Sequence, residues 1–430
     1  MSYVSESWRA VTLGKLVVVG QGYVGLPLAM RGVEAGFDVT GVDLDESRAK
    51  RLAAGDSFIE DIPAGRLGRA LGSGRYHPTT DYADAAGFDV CVITVPTPLR
   101  DGAPDLSHIE QAGVALAPYV RAGCTVILES TTYPGTTDEL LRRLLETGSG
   151  LQSPGDFHLG YSPERIDPGN PRWRLENTPK VVSGMDGAAL RRVEAFYQRI
   201  VEQTVPVAST RVAELTKLIE NTFRQVNIAL INELTMLSHE LDVDVWQAID
   251  AAATKPFGFM SFRPGPGVGG HCLPIDPCYL SWQVKRTLGR QFRFVELANE
   301  INHQMPEHVV QRITAGLNRQ GRPVNGSRLL LLGLAYKKNT GDMRDSPAVD
   351  ITRRLQALGA EVRAVEPHAA ADHIPPGVVI VGLTEHELRA ADAVVVVTDH
   401  DALDYDLVAR TASYVFDARS RCHGDNVERL

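Results

Sequence analysis

The 430-residue chain is predicted to be an α/β protein of two doubly wound domains joined by a long central helix. Three observations predict this. Short β-branched runs alternate with helical segments as far as Leu128. A stretch from Thr210 to about Leu241 then keeps helical spacing with neither Gly nor Pro, and the strand–helix alternation resumes at Leu329. Alternation at this spacing is the pattern of a parallel sheet with helices on both faces.

Each element follows from local pattern. Lys15–Val19 reads as a buried parallel strand that ends at Gly20. A helix over about Val24–Ala35 and a strand at Asp38–Val42 come next. Val90–Val95 is a third apolar run, closed by Pro96-Thr97-Pro98, and Thr125–Leu128 a fourth, just before Ser130-Thr131-Thr132. In the long helix, Leu215, Ile219, Val226, Leu230, Leu234 and Leu237 recur at helical spacing. A helix of that length bridges domains or builds a subunit interface. Lys255–Pro277 is too rich in Gly and Pro to be regular. The second α/β region reads as a strand at Leu329–Leu332, a helix at Ser346–Leu358, strands at Glu361–Val365 and Ala393–Val397, and a last strand at Tyr414–Asp417. The expected domains are 1–205, 206–305 and 306–430.

Composition narrows the function. Hydrophobic residues at 43% and charged residues at 23% give the balance of a water-soluble globular protein. No apolar run approaches the roughly 18–20 residues that cross a bilayer. The opening MSYVSESWRAVT lacks the basic and apolar regions of a signal peptide, so a cytoplasmic location without a membrane partner is expected. A net charge of −9, with no Lys/Arg run beyond two, argues against nucleic acid as the main partner. Small anionic ligands remain compatible, because a helix N-terminus and a few cations bind them locally. Cys91, Cys124, Cys272, Cys278 and Cys422 form no CxxC pair, and the twelve histidines show no HxxxH spacing. Neither a disulfide framework nor a metal site is expected.

Gly20-Gln21-Gly22-Tyr23-Val24-Gly25 follows a strand and opens a helix, the setting that a dinucleotide fingerprint requires. Gly20 permits the tight turn, Gly22 the approach of a pyrophosphate, and Gly25 close helix packing. Asp43, at the end of the next strand, is placed to bond ribose hydroxyls and to repel a 2′-phosphate, which favours NAD over NADP. Cys272 lies in Gly269-Gly270-His271-Cys272-Leu273-Pro274-Ile275-Asp276. The glycines are expected to open the backbone to a ligand, and a following helix start to lower the thiol pKa. Asp276 shares a face with Cys272 if that segment is helical. A thiol beside an NAD site suggests an aldehyde caught as a hemithioacetal and oxidised to a thioester. Lys217 and Asn221, four apart on the long helix, project from one face and suit an oxyanion. Glu164, after an irregular Pro turn, suits a base, and His271 is read as structural or substrate-contacting.

With these residues assembled, the chain resembles the UDP-glucose/GDP-mannose dehydrogenase family from Val17 to about Arg421. The motifs that carry the resemblance are Val19-Gly20-Gln21-Gly22-Tyr23-Val24-Gly25-Leu26-Pro27, Pro264-Gly265-Pro266-Gly267-Val268-Gly269-Gly270-His271-Cys272, and Gly333-Leu334-Ala335-Tyr336-Lys337-Lys338 followed by Asp342-Met343-Arg344-Asp345-Ser346-Pro347. The resemblance implies two Rossmann-like domains and oxidation of a nucleotide-sugar C6 alcohol to a carboxylate with reduction of two NAD. It implies Cys272 as nucleophile, Lys217 and Asn221 at the oxyanion, Asp276 and Thr131 positioning water, and Glu164 assisting as base. The cofactor contacts expected are Gly20, Gly22, Tyr23, Val24, Gly25, Asp43, Arg48, Pro96, Thr97, Thr131 and Arg344. The substrate contacts expected are Glu164, Arg165, Lys217, Asn221, Lys255, Arg263, Gly269 and Lys337, with the C-terminal domain holding the UDP portion and the long helix building a homodimer.

Within the family, Ile275 stands where UDP-glucose dehydrogenases carry Lys. Arg165-Ile166-Asp167-Pro168-Gly169 replaces their Phe-Leu-Arg-Glu run, so a role for its glutamate does not carry over. With Ala253-Thr254-Lys255-Pro256-Phe257-Gly258-Phe259, these departures look like UDP-N-acetylhexosamine 6-dehydrogenases. UDP-N-acetylglucosamine or its galacto epimer ranks first as substrate, UDP-N-acetylmannosamine second and UDP-glucose third. The rival readings are a two-electron dehydrogenase and a non-catalytic nucleotide-sugar-binding protein.

Overall fold

The computed structural model describes residues 14–59, 61–167, 170, 172–270, 273–368 and 374–430. His271 and Cys272 therefore lie outside the described residues. Two compact units divide the chain, residues 1–220 and 221–430. The long helix, Thr210–Glu240, contributes to both.

The first unit contains strands β1 (Lys15–Val19), β2 (Asp38–Val42), β3 (Tyr76–Thr79) and β4 (Val90–Ile93), a small hairpin of β5 (Leu99–Arg100) and β6 (Ala103–Pro104), then β7 (Thr125–Leu128), β8 (His158–Tyr161), β9 (Lys180–Gly184) and β10 (Thr204–Pro206). Eight of these make one sheet in the order β10-β9-β8-β7-β4-β1-β2-β3. It is parallel except where β8 meets β9. Strand side chains alternate between faces, so the sheet feeds two cores. Leu16 and Val18 of β1 join one cluster with Val39, Val92 and Ile127, while Val17 and Val19 join the other with Cys91, Ile93 and Val126. Burial on both faces explains why β1 reads as a continuous apolar run.

The second unit repeats the plan with β11 (Arg328–Leu332), β12 (Glu361–Val365), β13 (Val379–Ile380), β14 (Ala393–Val396), β15 (Val415–Asp417) and β16 (Val427–Arg429). Their order is β13-β12-β11-β14-β15-β16, and every pairing is parallel. Leu329 and Leu331 face one core, Leu330 and Leu332 the other. The helices Pro347–Ala357, Glu385–Ala390 and Tyr405–Thr411 lie between these strands, and Val245–Ala253, Asp276–Leu288 and Arg293–Arg319 precede them. The last of these runs through residues 305 and 306, where the sequence pattern set a domain limit, and carries Pro306 inside it.

The predicted elements appear with small shifts. The first helix is Gly25–Glu34, with Val24 and Ala35 as its caps. The strand expected over Val90–Val95 stops at Ile93. Among the described residues, no helix is long and apolar enough to cross a membrane.

The long helix departs most from its sequence pattern. Its apolar residues Ile219, Leu230, Leu234 and Leu237 are exposed, whereas Glu214, Lys217, Asn221, Gln225 and Asn232 are buried. These polar groups share the buried side with Ala213, Leu218, Ala229 and Ile231, and each of them must find a partner. Glu214 accepts from the Gly135 N–H at 2.7 Å, and from the Thr137 N–H at 2.9 Å and hydroxyl at 2.7 Å. Burial raises its carboxyl to about 7 against the pull of those three donors.

Candidate active site

The fingerprint turn joins β1 to the first helix. An added Cβ at Gly25 would lie 1.8 Å from the Gly20 carbonyl oxygen, and one at Gly20 would lie 2.8 Å from the Thr94 carbonyl. Gly20 also has φ +90°, a backbone conformation that suits glycine. The turn itself thus demands both residues. Gly22 differs, because a Cβ there meets no atom within 4 Å. Among the described residues nothing crowds that point, which leaves room for the close approach of a diphosphate. No side chain caps the helix that follows, which leaves its N-terminus to an anion. These features fit NAD.

Asp43 closes β2 and is buried. Its carboxylate accepts from the Gln21 N–H at 2.8 Å and the Asp45 N–H at 3.0 Å, and pairs with the Arg48 guanidinium at 2.9 Å. Arg48 also lies over the Phe58 ring at 5.3 Å. The carboxylate therefore ties the fingerprint to the end of β2. Tyr23 and Val24 stand half-buried in the turn, and Thr97 is half-buried beside exposed Pro96 beyond β4.

Also in the first unit, Thr131 is half-buried in the turn after β7, and Glu164 follows β8 in the Ser162-Pro163-Glu164 turn. Lys217, buried on the long helix, donates from Nζ to the Glu164 carbonyl at 2.5 Å and lies 3.5 Å from its carboxylate. Glu164 accepts from the Ile166 N–H as well. Arg165 is held by Glu220 at 2.8 Å and by the Pro179 carbonyl at 2.5 Å.

In the second unit, the buried Asn221 amide donates to Asp276 Oδ2 at 2.5 Å. Asp276 is the first residue of the helix Asp276–Leu288, and residues 273–275 form a turn. The helical face that Asp276 was expected to share with Cys272 therefore does not extend before Asp276. Lys217 and Asn221, four apart on a continuous helix, do share a face.

The glycine loop is closely packed. A Cβ at Gly269 would meet the Asp345 carbonyl at 2.5 Å, one at Gly270 the Tyr336 ring at 2.7 Å, and one at Gly265 the Arg419 guanidinium at 2.6 Å. Packing against the Tyr336 and Asp345–Pro347 segments leaves no room for a side chain at Gly269 or Gly270. Lys337 stands half-buried in the turn after β11. Arg344 is exposed and paired with Asp342, and Lys255 is exposed over the Phe257 ring at 5.0 Å. Arg263 is paired with Asp250 and lies in the wall of a cavity of about 650 Å³ with Trp246, Asp399, Arg419 and His423. Burial lowers the Arg419 pKa, and its Nε donates to the Val397 carbonyl at 2.8 Å.

Arg419, Glu366 and His400 were not singled out by sequence pattern. Glu366 stands just after β12 as Asp43 stands just after β2. The Leu334 N–H donates to it at 2.7 Å, as the Gln21 N–H does to Asp43. That equivalence of position was the available signal. Glu366 also accepts from the Ala335 and His368 N–H groups and pairs with His400 Nε2 at 3.0 Å. Burial pushes its carboxyl up, but the bonds from His400, Leu334 and His368 outweigh it and hold the pKa at about 2. The Asn339 N–H donates to His400 Nδ1 at 3.0 Å, so Nε2 carries the proton that Glu366 accepts. This bonding pins the turn that carries Lys337.

Known proteins agree with this layout. Residues 14–201 match the NAD binding domain of the UDP-glucose/GDP-mannose dehydrogenase family, 211–304 its central domain, and 330–423 its UDP binding domain. The UDP-N-acetyl-D-mannosamine dehydrogenase of Pyrococcus horikoshii is 36% identical over 387 residues, covering 90% of this chain and 89% of that protein. The UDP-N-acetyl-D-glucosamine 6-dehydrogenase of Pseudomonas aeruginosa is 36% identical over 392 residues, covering 90% of each. A solved structure of UDP-D-ManNAc dehydrogenase from Pyrococcus horikoshii superposes with a TM-score of 0.86 at 32% identity, covering 97% of this chain and 99% of that one. The chain belongs to the UDP-glucose/GDP-mannose dehydrogenase family of NAD-dependent oxidoreductases.

Proposed function

We propose that the chain oxidises the C6 hydroxyl of a UDP-N-acetylhexosamine to the uronic acid through a thioester on Cys272, with UDP-N-acetylglucosamine or its galacto epimer ahead of UDP-N-acetylmannosamine and UDP-glucose. The observation that carries this reading is the pairing on the long helix. Lys217 meets Glu164, Asn221 meets Asp276, and the two helical residues share one face. These are the residue types that a carbonyl addition and its hydrolysis need. The N-acetyl class is supported by both relatives, which are named as UDP-N-acetylhexosamine dehydrogenases, by Ile275, and by the run Arg165-Ile166-Asp167.

The chemistry then follows from the side chains. NAD, when bound, accepts the hydride in each of the two oxidations. The Cys272 thiolate adds to the C6 aldehyde, forming a C–S bond and an oxyanion that the Lys217 ammonium and Asn221 amide stabilise. Oxidation of that adduct gives the thioester. Thr131 and Asp276 position a water, Glu164 takes its proton, and breaking the C–S bond releases the carboxylate and restores the thiolate. Asp43 and Arg48 hold the adenosine ribose, with Gly20, Gly22, Tyr23, Val24, Gly25, Pro96, Thr97 and Arg344 completing the cofactor contacts. Arg165, Lys255, Arg263, Gly269 and Lys337 serve the nucleotide sugar, its UDP portion held by the C-terminal domain. A cytoplasmic location fits a reaction that draws on NAD and nucleotide sugars. The exposed apolar stripe of the long helix, with Phe223, Leu230, Leu234 and Leu237 each more than two-fifths exposed, supports a homodimer built on that helix.

Three experiments test this reading. NADH formed per sugar consumed, with UDP-N-acetylglucosamine, UDP-N-acetylgalactosamine, UDP-N-acetylmannosamine and UDP-glucose offered separately, is expected to be about two for an N-acetylhexosamine. About one NADH per sugar would replace the thioester route with simple alcohol oxidation, and none would favour a binding role. Asp43→Ser should raise the NAD KM about tenfold and leave Arg48 to receive a 2′-phosphate, so that NADP becomes usable. Unchanged cofactor preference in steady-state kinetics would remove Asp43 from that role. Leu230→Glu with Leu234→Glu should convert a dimer to a monomer in sedimentation velocity, and an unaltered dimer would place the interface elsewhere.

A further inference from the structure

A second lysine, outside the residues given roles above, grips the same turn. Lys180 opens β9 and its side chain is 4% exposed. Its Nζ donates to the Pro163 carbonyl at 3.0 Å and pairs with Glu129 Oε1 at 2.9 Å. Glu129 follows β7 directly, two residues before Thr131, and its side chain is 2% exposed. The Tyr197 hydroxyl donates to the same Glu129 oxygen, and the Lys180 ammonium lies 5.1 Å from the Tyr197 ring centre. The pair therefore spans two adjacent strand ends, one leading to Thr131 and the other to Glu164.

The local backbone sharpens the point. The Ser162 N–H donates to the Leu128 carbonyl at 3.0 Å, and the Ser162 hydroxyl donates to the Val181 carbonyl at 2.6 Å. Beyond Ser162, successive carbonyls are held by two ammonium groups, Pro163 by Lys180 and Glu164 by Lys217. Fixing both peptide planes fixes the direction in which the Glu164 side chain leaves the turn. The Glu129 N–H and Ser130 N–H both donate to the Ile93 carbonyl, which fixes the neighbouring turn in the same way. A buried ion pair of this kind is a poor source of stability, since apolar residues of similar volume hold a core equally well. What it supplies is a defined geometry.

We infer that Lys180 and Glu129 are positioning residues that lock the Thr131 and Glu164 turns in register for hydrolysis of the thioester. The inference rests on the roles proposed above for Thr131 and Glu164. It assigns the pair to the hydrolytic step, because Lys180 holds the turn that carries Glu164 and Glu129 precedes Thr131 in the neighbouring turn.

The test uses Lys180→Met with Glu129→Gln, which removes the pair without leaving one buried charge alone, and Lys180→Arg as the conservative variant. Rapid mixing with NAD and sugar reads the NADH burst and the steady rate, and fluorescence titration reads NAD affinity. The double variant is expected to bind NAD within about twofold of wild type, to release a burst of about two NADH per chain, and then to turn over at least about tenfold more slowly. Lys180→Arg should keep most of the steady rate. A double variant with the wild-type steady rate would overturn the inference. So would a burst lost together with NAD affinity, which would mark the pair as scaffolding alone. A wild type that oxidises no nucleotide sugar would overturn the proposed function, and this inference with it.

Discussion

A helix that buries polar side chains must meet each of them with a partner, and the long helix Thr210–Glu240 imposes that constraint on the chain. An unpartnered buried polar group costs roughly 1–3 kcal/mol, so five of them on one face would rival a typical margin of stability. Each residue has a partner, although the Gln225 Oε1 finds none among the described residues. Glu214 takes three donors from the Gly135–Thr137 segment, Lys217 the Glu164 turn, Asn221 Asp276, and Gln225 Asn299. Asn232 donates to Asn302 at 2.9 Å and accepts from the Gly265 N–H at 3.0 Å, which anchors the start of the glycine loop. Four of the groups proposed for chemistry, Glu164, Lys217, Asn221 and Asp276, are thus among those that the helix needs satisfied, so the same contacts that stabilise the helix place them.

The two units use one turn for two purposes. In each, the first N–H after the opening glycine of the turn donates to a carboxylate at the end of the next strand, Asp43 in one and Glu366 in the other. Asp43 pairs with a partly exposed arginine at the rim of the sheet. Glu366 is enclosed and saturated by His400 and three backbone N–H groups. The first carboxylate keeps 8% of its side chain exposed, whereas the second is fully enclosed and holds the turn that carries Lys337.

The sequence made some of this legible, for physical reasons. Strands β1, β2, β11 and β12 are buried on both faces, so their apolar runs stand out. Strands β3, β8, β10 and β16 are short, and Tyr76–Thr79 or His158–Tyr161 carry no clear alternation. The helix Arg293–Arg319 was hidden by Pro306 and a polar composition. Periodicity found the long helix but not its inside, because an outward apolar stripe and an inward one have the same period. The contacts of the glycines at 265, 269 and 270 with Arg419, Asp345 and Tyr336 join segments remote in sequence, so spacing alone did not show them. The Lys180–Glu129 pair joins strand ends that are remote in sequence, and only the sheet order brings them together.

The most direct measurement of the central claim is the mass of the Cys272 peptide, taken by rapid acid quench of a Glu164→Gln variant turning over with NAD and a UDP-N-acetylhexosamine. With hydrolysis slowed, the account requires a uronyl adduct on Cys272 that hydroxylamine removes. Formation of about two NADH per sugar without any adduct on that peptide would contradict it.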